Sequence, residues 1–244
     1  MTVADPLSLD VPIALPSGAW ALFTSRRRGS LASTADSGTS GQPRDHRRQL
    51  CTELGLDCLE GTRQVHGATV IVRNEGRPTG PPTDRGAQDG ADDVHDPEAD
   101  GQVTSRRRVG LVALGADCVP VLLAAPSGVA ALHAGWRGLA AGVLEAGVAA
   151  LEAIADDGPI AAAVGPAAGV CCYEVGPEVR TALGDEHCTG THADLHSATR
   201  ARLRAAGVNE VAVLAACTIC DPRLFSHRRE GAGAGRHAGI VWRR

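Results

Sequence analysis

The sequence predicts a single domain of the α+β or layered α/β class. Predicted strands and helices are mixed along the 244 residues, and several strands follow one another directly. Hydrophobic residues make up 43% of the chain, which is enough for a substantial core, whereas aromatic residues make up only 2%. The core must therefore consist mainly of alanine, valine, leucine and isoleucine.

The first half of the chain contains two strands, one helix and one long loop in this prediction. Leucines at a spacing close to the helical period, with Asp45 near the start, indicate the helix. The loop is rich in proline, glycine and aspartate and has no hydrophobic periodicity. The elements are a strand at 17–24, a helix at 43–56, a strand within 63–74 and an exposed loop at 75–100.

The second half begins with the most apolar part of the chain, residues 109–136, which predicts three buried strands. Residues 139–157 have the clearest helical pattern in the sequence. The remaining predictions are a strand at 160–169, helices at 176–183 and 194–208, and a strand at 209–218.

Composition excludes several classes of function. All 24 basic residues other than histidine are arginine, so Schiff-base catalysis and a lysine-dependent phosphate loop are excluded. The net charge is −4 and the basic clusters are short, which argues against nucleic-acid binding. Residues 1–20 have neither a basic segment nor a long apolar segment, so we expect no signal peptide, no membrane span and a cytoplasmic location. The eight cysteines are then expected to be thiols, ligands or a nucleophile.

Three reactive side chains stand where an apolar run gives way to a glycine-flanked turn: His66 in QVHG, Cys118 in GADCVP and His133 in LHAGWRG. If they converge, one cysteine and two histidines suit a catalytic zinc site with an open fourth position. Thiolate and imidazole also suit copper. A cysteine nucleophile with a histidine base, or ordinary packing of each side chain, remains open.

Two further residues are candidates because of their neighbours. Asp117 precedes Cys118, where it could orient a histidine, move a proton or simply stabilise a turn. Arg137 stands at the start of a predicted helix, where it could bind an anion or remain a solvated charge.

The other cysteines are not expected to form a site. The CxxC segment at 217–220 is not followed by a good helix start, and no second CxxC is present, so a four-cysteine zinc site is not expected. Cys171 and Cys172 are adjacent, and neighbouring side chains usually point in different directions. We therefore expect no shared ligand role for them.

Five longer segments carry a resemblance to a known family. They are QVHG (64–67), GADCVPVLL (115–123), LHAGWRG (132–138), VGPAAGVCCYEVG (164–176) and CTICDPRLFSHRREGAGAGR (217–236). In this order they resemble the polyphenol oxidase or laccase-domain family, also called the YfiH/YlmD-like or multicopper oxidase type 4 family, which is described as purine nucleoside phosphorylase. The similarity extends from about residue 18 to 242, which implies an N-terminal extension at 1–17 and one domain at 18–244.

The resemblance implies a layered α/β/β/α sandwich of the CNF/YfiH-like, cysteine-hydrolase type. It also implies that His66, Cys118 and His133 bind zinc, with copper as the alternative metal, in a catalytic site that includes Asp117 and the anion-binding Arg137. The implied activities are phosphorolysis of adenosine, inosine, guanosine and methylthioadenosine, and deamination of adenosine. The implied partners are a purine nucleoside and phosphate, in a monomer or homodimer.

Three other functions remain open at this point. The first is a cysteine hydrolase or amidase that edits a cell-wall precursor, with Cys118 as nucleophile. The second is a copper-dependent polyphenol oxidase, although nine histidines do not obviously supply several copper ions. The third is a binding module that a metal stabilises.

Overall fold

The computed structural model describes residues 7–32, 42–74 and 97–244. Most of the predicted loop at 75–100 lies outside these residues. Thirteen strands are present in the described part: β1 (Ile13–Ala14), β2 (Ala19–Phe23), β3 (Cys58–Glu60), β4 (Val70–Val72), β5 (Gly101–Thr104), β6 (Val109–Gly115), β7 (Val119–Ala124), β8 (Val129–Ala134), β9 (Ala161–Val164), β10 (Cys188–Thr189), β11 (His192–Ala193), β12 (Glu210–Val213) and β13 (His237–Arg243).

The same part of the chain contains six α-helices: α1 (Gln42–Leu54), α2 (Trp136–Ala141), α3 (Val143–Glu152), α4 (Pro177–Leu183), α5 (Leu195–Ala205) and α6 (His227–Glu230). None of the described helices is long and apolar enough to cross a membrane. The strands form one sheet in the order β1-β2-β13-β6-β3, a second sheet in the order β12-β9-β7-β8-β5-β4, and a hairpin of β10 and β11.

The two sheets pack face to face and bury a core of mostly small apolar residues. Phe23 is one of the two phenylalanines of the chain, and it lies in this layer with Leu111 and Leu122. A Cβ atom added to Gly165 would come within 2.5 Å of the Phe23 ring. The glycine therefore makes room for the large side chain between the sheets.

Helices cover the outer face of each sheet. Leu50 of α1 packs with Leu22 and Ile240 on the first sheet. Leu144 of α3 and Leu195 of α5 belong to the cluster on the second sheet. The layers therefore follow the order helix, sheet, sheet, helices, which agrees with the mixed α/β sandwich predicted above. The suggested likeness to cysteine hydrolases stays a prediction.

Most predicted elements are present, with one difference in a helix. The three strands expected within 109–136 are β6, β7 and β8. The single helix expected at 139–157 is wrong, because the chain forms α2 and α3 with a break at Gly142. Gly142 has φ +87°, a left-handed conformation that ends α2 and that glycine adopts without strain. Part of the predicted N-terminal extension forms β1, which pairs with β2.

Candidate active site and metal centre

The structure brings together the three side chains singled out in the sequence. The ligand atoms of His66, Cys118 and His133 all lie within 4.8 Å of one another. The two imidazole rings meet edge to face, with their centroids 4.9 Å apart. His133 is buried, Cys118 is half-buried and His66 is exposed, so the cluster opens towards solvent.

Three separate chain segments deliver these side chains. His133 is the second-last residue of β8, and Cys118 lies in the tight turn between β6 and β7. His66 precedes β4 and has φ +63°, a conformation that costs energy for a residue with a side chain. The start of β7 pairs with the end of β8, with Val119 opposite Ala134. Cys118 and His133 therefore lie close together at one end of these two strands.

Asp100 holds two of these segments in place, and sequence reasoning missed it. Its buried carboxylate accepts the backbone N–H groups of His66 at 2.9 Å and Gly67 at 2.6 Å. The same carboxylate accepts a hydrogen bond from Nδ1 of His133 at 2.8 Å. Nε2 of His133 is therefore left to face the cluster. In many metal sites a carboxylate orients a histidine ligand in this way. The sequence signal that could have identified Asp100 is its position at the end of the acidic segment before β5.

Electrostatics favour a thiolate beside an imidazolium in this cluster. Burial opposes both charges. The charge of His133 and hydrogen bonds from His133 and His66 nevertheless lower the pKa of Cys118. Burial likewise disfavours charge on His133, but the Cys118 thiolate and Asp100 raise the pKa of His133. Hydrogen bonds from His133 and the 66–67 backbone outweigh burial and lower the pKa of Asp100.

The turn after β8 is built around a glycine that the cluster requires. A Cβ atom added to Gly135 would lie 2.7 Å from Sγ of Cys118 and 3.2 Å from Cδ2 of His66. Both distances are shorter than ordinary van der Waals contact. Glycine at this position therefore lets the thiol and the imidazole approach each other.

Trp136 and Arg137 follow this glycine. Trp136 is half-buried and packs against the core under α2. The Arg137 guanidinium lies 4.3 Å from the centre of the Trp136 ring and is exposed. Within the described residues Arg137 makes no hydrogen bond or salt bridge, so its donors are available for an anion.

Asp117 is adjacent to Cys118 but its carboxylate is tied to another segment. One oxygen accepts the Thr218 hydroxyl at 2.6 Å, and the other accepts the backbone N–H of Arg228 at 2.7 Å. The residue is buried and has φ +103°. These contacts anchor the turn that presents Cys118. The role of Asp117 in moving a proton stays a prediction.

Tyr173, the only tyrosine of the chain, is a further neighbour that sequence reasoning missed. The guanidinium of Arg228 lies 4.9 Å from the centre of its ring. Burial and the negative charge of Cys118 raise the pKa of Tyr173 to about 12, although Arg228 and Arg137 oppose the shift. The phenol therefore keeps its proton at neutral pH. Its place in the motif VGPAAGVCCYEVG was the available signal.

The structure contradicts the expectation that the remaining cysteines share no site. The sulfur atoms of Cys171, Cys172, Cys217 and Cys220 all lie within 4.8 Å of one another. A tight turn causes this, because the N–H groups of Cys172 and Tyr173 both bond to the carbonyl of Gly169 at 2.9 Å. The turn lets two adjacent cysteines face the CxxC segment together.

The comparison with known families identifies the chain. A family model described as multi-copper polyphenol oxidoreductase laccase matches residues 32–244. The chain belongs to this family. The resemblance inferred from the five motifs is therefore confirmed, and the family description together with the cluster of His66, Cys118 and His133 suggests a bound metal.

Curated relatives of this laccase-family chain are named purine nucleoside phosphorylase. A purine nucleoside phosphorylase from Xylella fastidiosa is 38% identical over 214 residues, which cover 81% of this chain and 77% of that protein. A purine nucleoside phosphorylase from Streptomyces coelicolor is 41% identical over 210 residues, which cover 81% of each chain.

Solved structures of the same type extend over almost the whole chain. YlmD from Geobacillus stearothermophilus has a TM-score of 0.78 and 30% identity, and the match covers 98% of both chains. YfiH from Bacillus licheniformis has a TM-score of 0.81 and 25% identity, and the match covers 98% of this chain and 100% of that chain. The laccase-family chain therefore shares the fold of both proteins.

Proposed function

We propose that this protein is a zinc-dependent purine nucleoside phosphorylase that acts on adenosine, inosine, guanosine and methylthioadenosine, and that it also deaminates adenosine. The observation that carries the proposal is the solvent-facing cluster of His66, Cys118 and His133. The exposed Arg137 follows two residues after Gly135, which borders this cluster. The names of the Xylella and Streptomyces relatives support the substrate class.

The donor set of this cluster fits zinc. Two imidazoles and one thiolate provide three protein ligands, as in catalytic sites that keep a fourth position open. The contact from Asp100 to His133 supplies the outer hydrogen bond that such ligands need. When bound, zinc would supply Lewis-acid stabilisation of charge that develops in the transition state.

The chain's own residues supply the remaining functions. Arg137 would bind phosphate, because its guanidinium is exposed and fixed over Trp136. Tyr173 keeps a proton on its hydroxyl at neutral pH and can donate it in a hydrogen bond to a purine that gains negative charge as it leaves. Asp117 is our candidate for moving a proton during deamination. Phosphate and nucleoside held together would then react as in an intramolecular step.

Product analysis by chromatography tests this proposal. The protein, the Cys118→Ala variant and the Cys188→Ala control are incubated with adenosine, with and without phosphate. We expect adenine and ribose phosphate only when phosphate is present, loss of this product in Cys118→Ala, and normal turnover in the control. Inosine without phosphate would support the deaminase activity. No turnover by zinc-loaded protein would overturn the proposal.

A second candidate function rests on a separate observation. Cys118, His133 and Asp100 form the thiol, imidazole and carboxylate arrangement of a cysteine hydrolase. In that case Cys118 would attack a carbonyl and His133 would move the proton. Rapid and selective trapping of Cys118 by a substrate-like electrophile in metal-free protein, with no nucleoside turnover in the loaded protein, would favour this function.

A further inference from the structure

A second group of metal-ligating side chains lies outside the site described above. It consists of Cys171, Cys172, Cys217 and Cys220, which we call the four-cysteine cluster. Sγ of Cys220 lies 3.5 Å from Sγ of Cys171 and 3.0 Å from Sγ of Cys172. All four sulfur atoms lie within 4.8 Å of one another.

These separations lie on both sides of the spacing expected around a single ion. Four thiolates at about 2.3 Å from a tetrahedral zinc ion lie about 3.8 Å apart. Sγ of Cys220 lies close to the sulfur atoms of both Cys171 and Cys172, whereas a disulfide could join it to only one of them. One metal ion bound by all four cysteines therefore explains the convergence of the two adjacent cysteines with the CxxC segment better than a disulfide does.

The backbone around the cluster is arranged to receive thiolates. The N–H of Gly169 donates to Sγ of Cys217 at 3.3 Å. A Cβ atom at Gly169 would lie 3.2 Å from that sulfur and 3.3 Å from Sγ of Cys171, so glycine leaves room for both. N–H donors directed at sulfur stabilise the negative charge that metal ligands carry.

The side chain of Arg229 lies against the backbone of the CxxC segment. The guanidinium of Arg229 donates to the carbonyl oxygens of Thr218 at 2.7 Å and Ile219 at 3.0 Å. These bonds hold the backbone of the CxxC segment in place, and the same guanidinium pairs with the Glu230 carboxylate at 2.7 Å.

We propose that Cys171, Cys172, Cys217 and Cys220 bind one structural zinc ion. Four thiolates form a closed tetrahedral set with no open position, which is typical of a structural rather than a catalytic site. Soft sulfur ligands without oxygen ligands favour zinc over hard cations. This ion is separate from the one assigned to His66, Cys118 and His133.

A zinc ion in the four-cysteine cluster would stabilise two loops, the one that contains Cys171 and Cys172 and the CxxC segment. These loops contact each other through the N–H of Thr218 and the carbonyl of Ala167, at 2.9 Å. Tyr173 directly follows Cys172, and Thr218 lies inside the CxxC segment and donates to Asp117. The ion therefore fixes the loops that form one wall of the candidate active site.

Alkylation of the wild-type protein tests the proposal directly. Cys171 and Cys220 are exposed, so iodoacetamide can reach free thiols at these positions. In zinc-loaded protein we expect all four cysteines to be protected, and to become reactive after treatment with a strong chelator, as read by peptide mass mapping. Ready alkylation of Cys171 and Cys220 in the zinc-loaded protein would overturn the proposal, and so would a disulfide between any two of the four.

Metal analysis of variants provides the second measurement. Cys220→Ser and Cys171→Ser are compared with Cys188→Ser, a half-buried cysteine outside both groups. We expect one zinc equivalent fewer in the first two variants and an unchanged content in the control, with X-ray absorption of Cys118→Ala showing four sulfur ligands at about 2.3 Å. Equal zinc content in all three variants, or iron or copper at the cluster, would overturn the proposal. If the variants do not fold, the alkylation result decides.

Discussion

Asp100 and His133 are joined by two hydrogen bonds. The carboxylate of Asp100 accepts Nδ1–H of His133 at 2.8 Å, and its backbone carbonyl accepts the N–H of His133 at 2.7 Å. The same carboxylate also accepts the backbone N–H of His66. One buried acidic side chain thus fixes two of the three ligands of the candidate metal centre.

Replacing this carboxylate should weaken metal binding. In Asp100→Asn the amide cannot accept all the N–H groups that the carboxylate accepts, so the ring of His133 and the turn at His66 lose their fixed orientation. We expect zinc affinity at the centre to fall about 10- to 100-fold, measured by competition with a chromophoric chelator. The exposed Asp185→Asn is the control, and wild-type affinity in Asp100→Asn would contradict the assigned role.

A methyl group at Gly135 should disturb the cluster without straining the backbone. Gly135 has φ −78°, which alanine adopts readily, so the effect comes from contact with Cys118 and His66. We expect Gly135→Ala to lose metal and turnover at the His66, Cys118 and His133 centre while its melting temperature changes little. Gly233→Ala is a matched control, because nothing lies within 4 Å of an added Cβ there. Equal metal content in both variants would refute the packing argument.

The Asp117→Asn substitution should lower the free energy of unfolding. It also tests whether Asp117 transfers a proton during deamination. The amide oxygen can still accept the Arg228 N–H, and the amide N–H group then faces the Thr218 hydroxyl, which must accept instead of donate. A buried hydrogen bond to a charged group becomes one between neutral groups, at a cost of about 1 kcal/mol in the free energy of unfolding. Thr218→Val removes one donor and keeps the carboxylate. If Asp117 moves a proton, adenosine deamination falls in Asp117→Asn and persists in Thr218→Val. Similar deamination rates in the two variants would exclude that role.

His237 should make the protein less stable in mild acid. The ring is buried at the start of β13, and neither nitrogen has a hydrogen-bond partner among the described residues. Burial lowers the pKa of His237 to about 4, below the value of about 6.5 for a solvated histidine. The unfolded chain therefore takes up a proton first as the pH falls. Stability decreases between about pH 6.5 and pH 4, by about 3 kcal/mol in total.

Urea unfolding at pH 7.5 and pH 5 measures this effect. We expect the wild-type protein to lose more unfolding free energy between the two conditions than His237→Gln, which cannot titrate. The same pH dependence in both proteins would show that His237 does not cause the loss.

Local patterns were sufficient to predict much of the fold and to single out the three side chains that cluster. The apolar run at 109–136 identified β6, β7 and β8 because buried strands are continuous in sequence. His66, Cys118 and His133 were recognisable because each ends such a run beside a glycine. Asp100 was not recognisable, because it follows an acidic loop and its partner His133 lies 33 residues further along the chain.

The four-cysteine cluster was predicted wrongly for a similar reason. Because Cys171 and Cys172 are adjacent in sequence, their side chains were expected to diverge. The turn at Gly169 instead directs both towards Cys220, which is 49 residues from Cys171 and 48 residues from Cys172. The break between α2 and α3 at Gly142 was also missed, since the apolar pattern continues through it.

The sequence by itself determined the class of fold, the family and the identity of the three clustered donor residues, because hydrophobic periodicity and motif order are local properties of the chain. Only the tertiary structure decided which side chains support them. Asp117 is paired with Thr218 across 101 residues, and Asp100 with His133 across 33. Such contacts depend on how the strands pair and the loops pack at one edge of the sheet, and no pattern within a short segment encodes them.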